Sequence, residues 1–371
     1  MNKNVFFQHE KENIKNKIYP FLLEIEKKSY ETINKKDQVF FEEIKDFIKT
    51  KKKLPFELNS QELLFLNKNP KKIWLEYFLF RYKFRNFTKN KIVADFPIYF
   101  LIEPVSACNL RCPMCFQVDK TFTRKPYMGV MKLDFYKKII DECAANGTKA
   151  ITLASRGEPT LHPEFDQMLR YASEKFFEIK INTNATRLSD KLCRAIIESG
   201  VNEMTYSVDE SEEKKFEAIR VNAKFKEVLA NIKKFNKIRE EYPKNKTTTR
   251  ISGVLYKKSQ DMKRITNFWE KYVDHVVFVG CQARWDTYNN KADGILSPCD
   301  YLWERMYVWY DGTTNPCDAD YKSYLSTGKL DYKLNTIKEI WNSKKYSELR
   351  EKHLTKKRQS LNPCDRCGLD F

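Results

Sequence analysis

Six short runs rich in β-branched and aromatic residues constrain this chain most. They are Ile98–Val105, Ala150–Ala154, Ile179–Thr183, Glu203–Val208, Arg250–Leu255 and His275–Val279, and helically spaced segments separate them. The helical segments include Leu133–Ala145, Pro163–Lys175, Ser189–Ser199, Phe225–Glu240 and Gln260–Tyr272. Asp134 and Ser189 suit helix starts, and Gly147 and Gly200 suit helix stops. Alternating strands and helices demand a parallel sheet with right-handed crossovers, so the fold class is α/β, curled into a partial (β/α)6 barrel. Ligands then belong at the C-terminal ends of the strands.

The flanks read differently. Residues 1–95 are expected to form a mainly helical extension, with Phe21, Leu22, Ile25 and Tyr30, then Phe40, Phe41, Ile44 and Ile48, at roughly helical spacing. Leu54-Pro55 breaks that pattern, Asn69-Pro70 precedes a basic–aromatic run at Lys71–Phe87, and Pro97 marks the boundary with the barrel. From about Trp285 the alternation ends, leaving a loop-rich module with one clear helical stretch at Thr336–Lys352. The expected division is 1–95, 96–285 and 286–371.

The opening residues have no signal-peptide pattern, and no apolar run approaches the length of a membrane span. A cytoplasmic, reducing location follows, in which grouped cysteines read as metal ligands rather than disulfides. The net charge of +18 is read either as a solvated lysine surface or as attraction to an anionic partner, such as a nucleotide-linked sugar, a nucleic acid or a membrane surface.

Seven of the ten cysteines fall in two sets, and Cys143, Cys193 and Cys281 stand apart. The first set, Cys108-Asn109-Leu110-Arg111-Cys112-Pro113-Met114-Cys115, directly follows the first predicted strand. Three thiolates on one loop suit a 4Fe–4S cluster whose fourth iron stays open to a ligand. A structural zinc site would call for four closed ligands at another spacing.

This loop, with Met114 in its apolar position, closely resembles the cluster loop of the radical S-adenosylmethionine (radical SAM) superfamily. The resemblance implies that the open iron chelates S-adenosylmethionine. Electron transfer then releases methionine and a 5′-deoxyadenosyl radical that abstracts hydrogen from substrate, with the protein supplying position and exclusion. Further segments of the family recur at successive strand ends. Ser155-Arg156-Gly157-Glu158-Pro159 resembles its G-G-E-P segment with arginine for the first glycine, and Thr183-Asn184-Ala185 resembles T-N-G. Ser207-Val208-Asp209 resembles S-x-D. The resemblance makes Met114, Gly157, Glu158, Pro159, Asn184, Ser207, Asp209 and Arg220 cofactor-binding candidates, Arg220 through a bidentate contact to a carboxylate.

The second set is Cys299, Cys317, Cys364 and Cys367. It is framed by Val308-Trp309-Tyr310-Asp311-Gly312-Thr313, Asn315-Pro316-Cys317 and Glu339-Ile340-Trp341. These segments resemble a SPASM-type or shorter twitch-type auxiliary-cluster module. Four cysteines can ligate one auxiliary 4Fe–4S cluster fully, as in twitch-containing aminocyclitol dehydrogenases; a zinc ribbon is the plain alternative.

Cys143 and Cys193 lie within helical patterns and read as small core residues. Cys281 follows the sixth strand and reads either as a buried thiol, the preferred reading, or as a hydrogen-atom donor in an epimerase. Arg284 is a candidate contact to an anionic or polyol substrate. The four histidines show no ligand spacing. The leading expectation is oxidation of a carbohydrate or aminocyclitol alcohol, with the auxiliary cluster accepting the second electron. The substrate would be a small molecule or nucleotide-linked sugar, and flavodoxin or ferredoxin the electron donor. Sugar epimerisation, ribosomal-peptide modification and RNA modification are the rivals.

Overall fold

The computed structural model describes residues 17–26, 35–50, 58–281 and 286–368. The chain divides into two units, Met1–Ala94 and Asp95–Phe371.

The first unit is helical: α1 (residues 17–26), α2 (Lys35–Thr50), α3 (Ser60–Lys68) and α4 (Trp74–Tyr82). Its apolar stripes bury Leu22, Ile25, Phe40 and Ile44, and Phe65 stacks on Tyr77 with ring centroids 4.1 Å apart. Tyr30 and Leu54-Pro55 lie outside the described residues. The basic–aromatic run is largely engaged within this unit. Buried Glu62 accepts Arg81 at 3.2 Å and Arg85 at 2.5 Å, and Lys71 pairs with Glu24 at 2.6 Å. The Arg81 guanidinium also lies 4.6 Å over the Phe80 ring, so cation–π contact and ion pairing both use the cation internally.

The second unit is built on one nine-stranded sheet of order β6-β5-β4-β3-β2-β1-β7-β8-β9. The strands are β1 (Tyr99–Ile102), β2 (Ala150–Leu153), β3 (Glu178–Thr183), β4 (Glu203–Ser207), β5 (Thr248–Leu255), β6 (His275–Gly280), β7 (Arg305–Val308), β8 (Thr313–Asn315) and β9 (Gly328–Lys329). From β1 to β6 each strand pairs in parallel with the next. The crossovers carry α5 (Leu133–Ala145), α6 (Phe165–Ala172), α7 (Asp190–Glu198), α8 (Glu213–Ile219), α9 (Phe225–Glu240) and α10 (Met262–Trp269). Two of these match the sequence-predicted spans residue for residue. Ser189 caps α7 by accepting from Leu192 N–H at 3.2 Å, whereas Asp134 sits inside the first turn of α5 and Lys132 takes the cap position. Gly147 and Gly200 stop their helices at φ +83° and +68°, backbone that glycine adopts without a Cβ clash.

Alternation gives the sheet two unlike faces. Phe100, Ile102, Ile151, Leu153, Ile179, Ile181, Met204, Tyr206 and Ile251 share the buried helix-side face. The opposite face carries Thr152, Lys180, Asn182, Glu203, Arg250 and Ser252 in register.

The C-terminal segment, expected as a small loop-rich module, also adds strands to the barrel sheet. β7 continues the barrel sheet in parallel beside β1, Tyr99 opposite Arg305 and Ile102 opposite Val308, and β8 and β9 follow antiparallel. These strands are four, three and two residues long, too short for a period-2 signal to rise above loop composition. The helix expected over Thr336–Lys352 is two helices, α12 (Ile337–Trp341) and α13 (Lys344–Leu354), with Ser343 capping the second. α11 (Tyr301–Glu304) precedes β7. Among the described residues no helix is long and apolar enough to cross a membrane.

Thr336 and Glu339 form a reciprocal capping box that starts α12. Thr336→Ala is expected to cost about 1 kcal/mol of stability, read as a lower midpoint in thermal or urea unfolding of the full chain.

Candidate active site

Directly beyond β1 the chain lays out Cys108, Cys112 and Cys115 on one loop, buried or half-buried, and no cysteine in the described residues forms a disulfide. N–H groups already point at the sulfurs: Leu110 N–H lies 3.4 Å from Cys108 Sγ, Asn184 Nδ2 3.8 Å from the same atom, and Arg220 Nη1 3.9 Å from Cys112 Sγ. Burial pushes the Cys108 thiol up to about 12, partly offset by the Leu110 N–H and reinforced by Glu158, Cys115 and Cys112. Burial likewise raises Cys112, and Arg220 pulls it back. Three grouped thiols ringed by N–H donors fit an iron–sulfur cluster, whose charge such donors stabilise. Iron binding removes the thiol protons that burial retains.

The other candidates ring the same strand ends. Gly157 passes so close to the loop that a Cβ there would meet Val105 O at 2.1 Å and Ala107 O at 2.6 Å. Only glycine permits that approach. Glu158 N–H then donates to Ala107 O at 2.9 Å. The Glu158 carboxylate accepts from Thr160, from Thr183 Oγ1 at 2.6 Å and from Asn184 N–H at 2.7 Å, tying β2's end to β3's. Burial raises its pKa, and those bonds pull it down. Pro159, buried, begins a short 3-10 turn, Met114 is buried on the cysteine loop, and Ser207 ends β4 half-buried. Ala185 holds a φ of +60° where the resembling segment has glycine. Ser155 sits at φ +122° with its buried hydroxyl lacking a protein partner, a strained strand end of the kind that marks ligand sites.

Two of these candidates are engaged with each other. Arg220, expected to clasp a cofactor carboxylate with its guanidinium fork, closes that fork on Asp209 at 2.5 and 2.9 Å. Asp209 also accepts Val254 N–H at 2.7 Å and is fully buried. Both side chains therefore brace the site, and Arg220 keeps only Nη1 facing the cysteine loop.

Arg156, which departs from the family's first glycine, is buried and makes a bidentate pair with Glu103 at 2.6 and 2.6 Å. It also donates to Tyr321 O at 2.9 Å and stacks 4.2 Å over the Trp309 ring. Gln117, two residues past Cys115, donates to both Ser106 O and Arg156 O at 2.7 and 2.6 Å. This knot joins the cysteine loop, the end of β2 and the β7–β8 hairpin.

Cys299, Cys317, Cys364 and Cys367 gather near the start of β7 and the end of β8. Burial pushes Cys299 up to about 11, with Cys367 adding to the rise. Burial also raises Cys317 and Cys364 well above the usual thiol range, and neighbouring thiols reinforce both. Sequence reasoning missed two residues here. Arg358, fully buried, donates to Cys367 Sγ at 3.0 Å and to the carbonyls of Cys364 and Ser297 at 3.0 Å. His353 Nδ1 accepts the Cys299 N–H at 3.1 Å. Neither shows ligand spacing in sequence; a single His and a single Arg in and after a highly charged helix give no signal of their own. Cys317 packs against Leu101, Tyr307 and Trp309.

Cys143 and Cys193 are fully buried in α5 and α7, as core residues. Cys281 is exposed just beyond β6, an edge strand of the sheet, which corrects the buried-thiol reading. Arg284 lies outside the described residues.

Comparison with known proteins agrees with this layout. A family described as the radical SAM superfamily matches residues 102–268, and an iron–sulfur cluster-binding domain matches residues 299–368. Among curated proteins, a tungsten-containing aldehyde ferredoxin oxidoreductase cofactor-modifying protein of Pyrococcus furiosus is 36% identical over 112 residues, covering 30% of each chain. An AdoMet-dependent heme synthase of Methanosarcina barkeri is 26% identical over 215 residues, covering 56% of each. The matches thus span about a third to just over half of those relatives' lengths. Among solved structures, Streptococcus suis SuiB bound to precursor peptide SuiA superposes with TM-score 0.58 at 14% identity, covering 90% of this chain and 89% of that one.

The Glu103–Arg156 pair predicts a specific double-mutant pattern. Arg156→Met strands a buried carboxylate and should cost about 3–5 kcal/mol. Adding Glu103→Gln removes that charge, so the double variant should unfold later than Arg156→Met alone. Strictly additive losses in urea unfolding would show the two side chains uncoupled.

Proposed function

Residues 102–268 are a radical SAM domain and residues 299–368 an iron–sulfur cluster-binding domain, and from that premise we propose that this chain oxidises a carbohydrate or aminocyclitol alcohol to a ketone. The radical SAM domain binds S-adenosylmethionine and a 4Fe–4S cluster, and the C-terminal domain binds auxiliary iron–sulfur clusters. When bound, these groups would supply a radical that removes one hydrogen atom from substrate and an acceptor for the second electron, while the hydroxyl proton leaves to solvent.

The observation that carries the proposal is the partition of cysteines into a group of three and a group of four on one continuous sheet. Cys108, Cys112 and Cys115 would leave one iron open for the cofactor. Cys299, Cys317, Cys364 and Cys367 would close the second cluster, which favours electron acceptance over direct substrate ligation. Leu101, Tyr307 and Trp309 line the polar face of the sheet and touch Cys317, bringing a substrate on that face near the second group. Arg358 and His353 hold that group's sulfur and backbone in place. Asn184 and Arg220 present N–H donors to the first group. A cytoplasmic setting and a flavodoxin- or ferredoxin-type donor accompany this proposal, since the clusters need a reducing environment.

Epimerisation is the second reading, and the exposed Cys281 thiol beyond β6 favours it. An epimerase returns a hydrogen atom to carbon; a dehydrogenase does not.

Anaerobic reconstitution should load roughly eight irons per chain, two clusters of four. Cys364→Ala should lose about half of that iron. If it stays soluble, it should still release 5′-deoxyadenosine yet make no ketone; ketone formation with the second cluster absent would defeat the acceptor role. Turnover in deuterium oxide separates the two readings. Oxidation leaves no deuterium at the reacting carbon and survives Cys281→Ala, whereas deuterium incorporation that depends on Cys281 establishes the epimerase.

A further inference from the structure

In the parallel sheet, the face opposite the helices would ordinarily be a second apolar core. Here its central strands present Lys180 and Asn182 from β3, Glu203 from β4, and Arg250 and Ser252 from β5, all in register on one side and only half-buried. At the open edge, Val277 and Val279 of β6 stand 42% and 53% exposed on that same side. Polar groups are costly to leave in a sheet's interior without partners, and two atoms here lack them. Asn182 Oδ1 and Arg250 Nε are buried with no hydrogen-bond partner.

The charges on this face are mutually committed. Glu203 Oε1 accepts Lys180 Nζ at 2.9 Å and Arg250 Nη2 at 3.0 Å, and Thr205 Oγ1 donates to it at 3.0 Å. Burial pushes Glu203 up, but the two cations pull it below the usual carboxylate range. A phosphate would compete with Glu203 for both cations, and an ammonium would find that carboxylate already occupied. What remains unsatisfied is one acceptor and one donor, which a hydroxyl, being both, can serve.

Resting on the alcohol oxidation proposed above, we infer that this face is the substrate floor and that it selects an uncharged, hydroxyl-rich ligand, with Asn182 Oδ1 and Arg250 Nε as its reading atoms and Ser252 beside them. The valines of β6 supply the apolar wall against which ring C–H groups pack. Specificity arises because a hydroxyl-bearing ring satisfies both orphan atoms, while a deoxygenated analogue leaves them buried and unpaired.

The test is isothermal titration of the reconstituted full chain, with S-adenosylmethionine present, using myo-inositol, glucose 6-phosphate, glucosamine and a tetra-alanine amide as probes. Myo-inositol is expected to bind with an affinity unchanged between low and high salt, and the charged probes and the peptide to bind more weakly. Asn182→Leu should weaken myo-inositol about tenfold. Ser252→Ala, a small change on the half-buried face, should also weaken it, provided iron content and melting temperature match the parent. Tighter, salt-sensitive binding of glucose 6-phosphate, preference for glucosamine or the peptide, no myo-inositol binding up to its solubility limit, or unaltered binding in both variants would each overturn the inference. Binding through Asn182 without oxidation of any neutral polyol would leave this inference standing and defeat the proposed reaction instead.

Discussion

The bidentate contact between Glu103 and Arg156, fully removed from water, fixes more of this molecule than any other pair. Glu103 directly follows β1, Arg156 follows β2, and Tyr310 N–H from the β7–β8 hairpin donates to the same carboxylate at 3.2 Å. Two charges taken out of water repay that cost only when their geometry is excellent and their remaining valences are filled. Both conditions hold: the guanidinium uses its fork on Glu103, another N–H on Tyr321 O, and its flat face on Trp309. Such a pair tolerates little displacement, so the cysteine loop beyond β1 and the hairpin leading to Cys317 are held in one register.

That register matters because the two cysteine groups belong to opposite ends of neighbouring strands. The first group follows the C-terminal end of β1. β7 runs parallel to β1, and β8 then turns back, so Cys317 returns toward the strands' N-terminal side. A ligand on the polar face would therefore lie between the two groups. The same geometry explains why Arg220 and Asp209 turn toward each other. Asp209 sits where Val254 N–H and the Arg220 fork converge, and a buried carboxylate without both would be strongly disfavoured.

The helical unit at the N-terminus shows pairing that composition does not reveal. Its basic–aromatic run has the texture of a nucleic-acid surface. Yet Glu62, itself locked by a reciprocal bond with Asn59, draws Arg81 and Arg85 inward. Which acid meets which base is decided by helix packing, and a linear sequence with an overall charge of +18 does not reveal it.

Local physics made much of this protein legible from its residues alone. The α5 and α9 spans, the Ser189 cap and the glycine stops are set by interactions within a few residues, so spacing and side-chain chemistry suffice to read them. The Cys108–Cys115 loop is readable for the same reason, since its three thiols are neighbours in sequence. Tertiary structure alone decided the rest, because the partners are far apart along the chain. Placing β7 beside β1 joins residues about two hundred positions apart. The exposure of Cys281 depends on β6 being an edge. Arg358 and His353 acquire their roles only when α13 and its following turn fold back on Cys299, Cys364 and Cys367. The two unlike faces of the sheet also required the tertiary structure: strand alternation marks which residues share a face, but only the packed helices show which face is core and which stays half-buried.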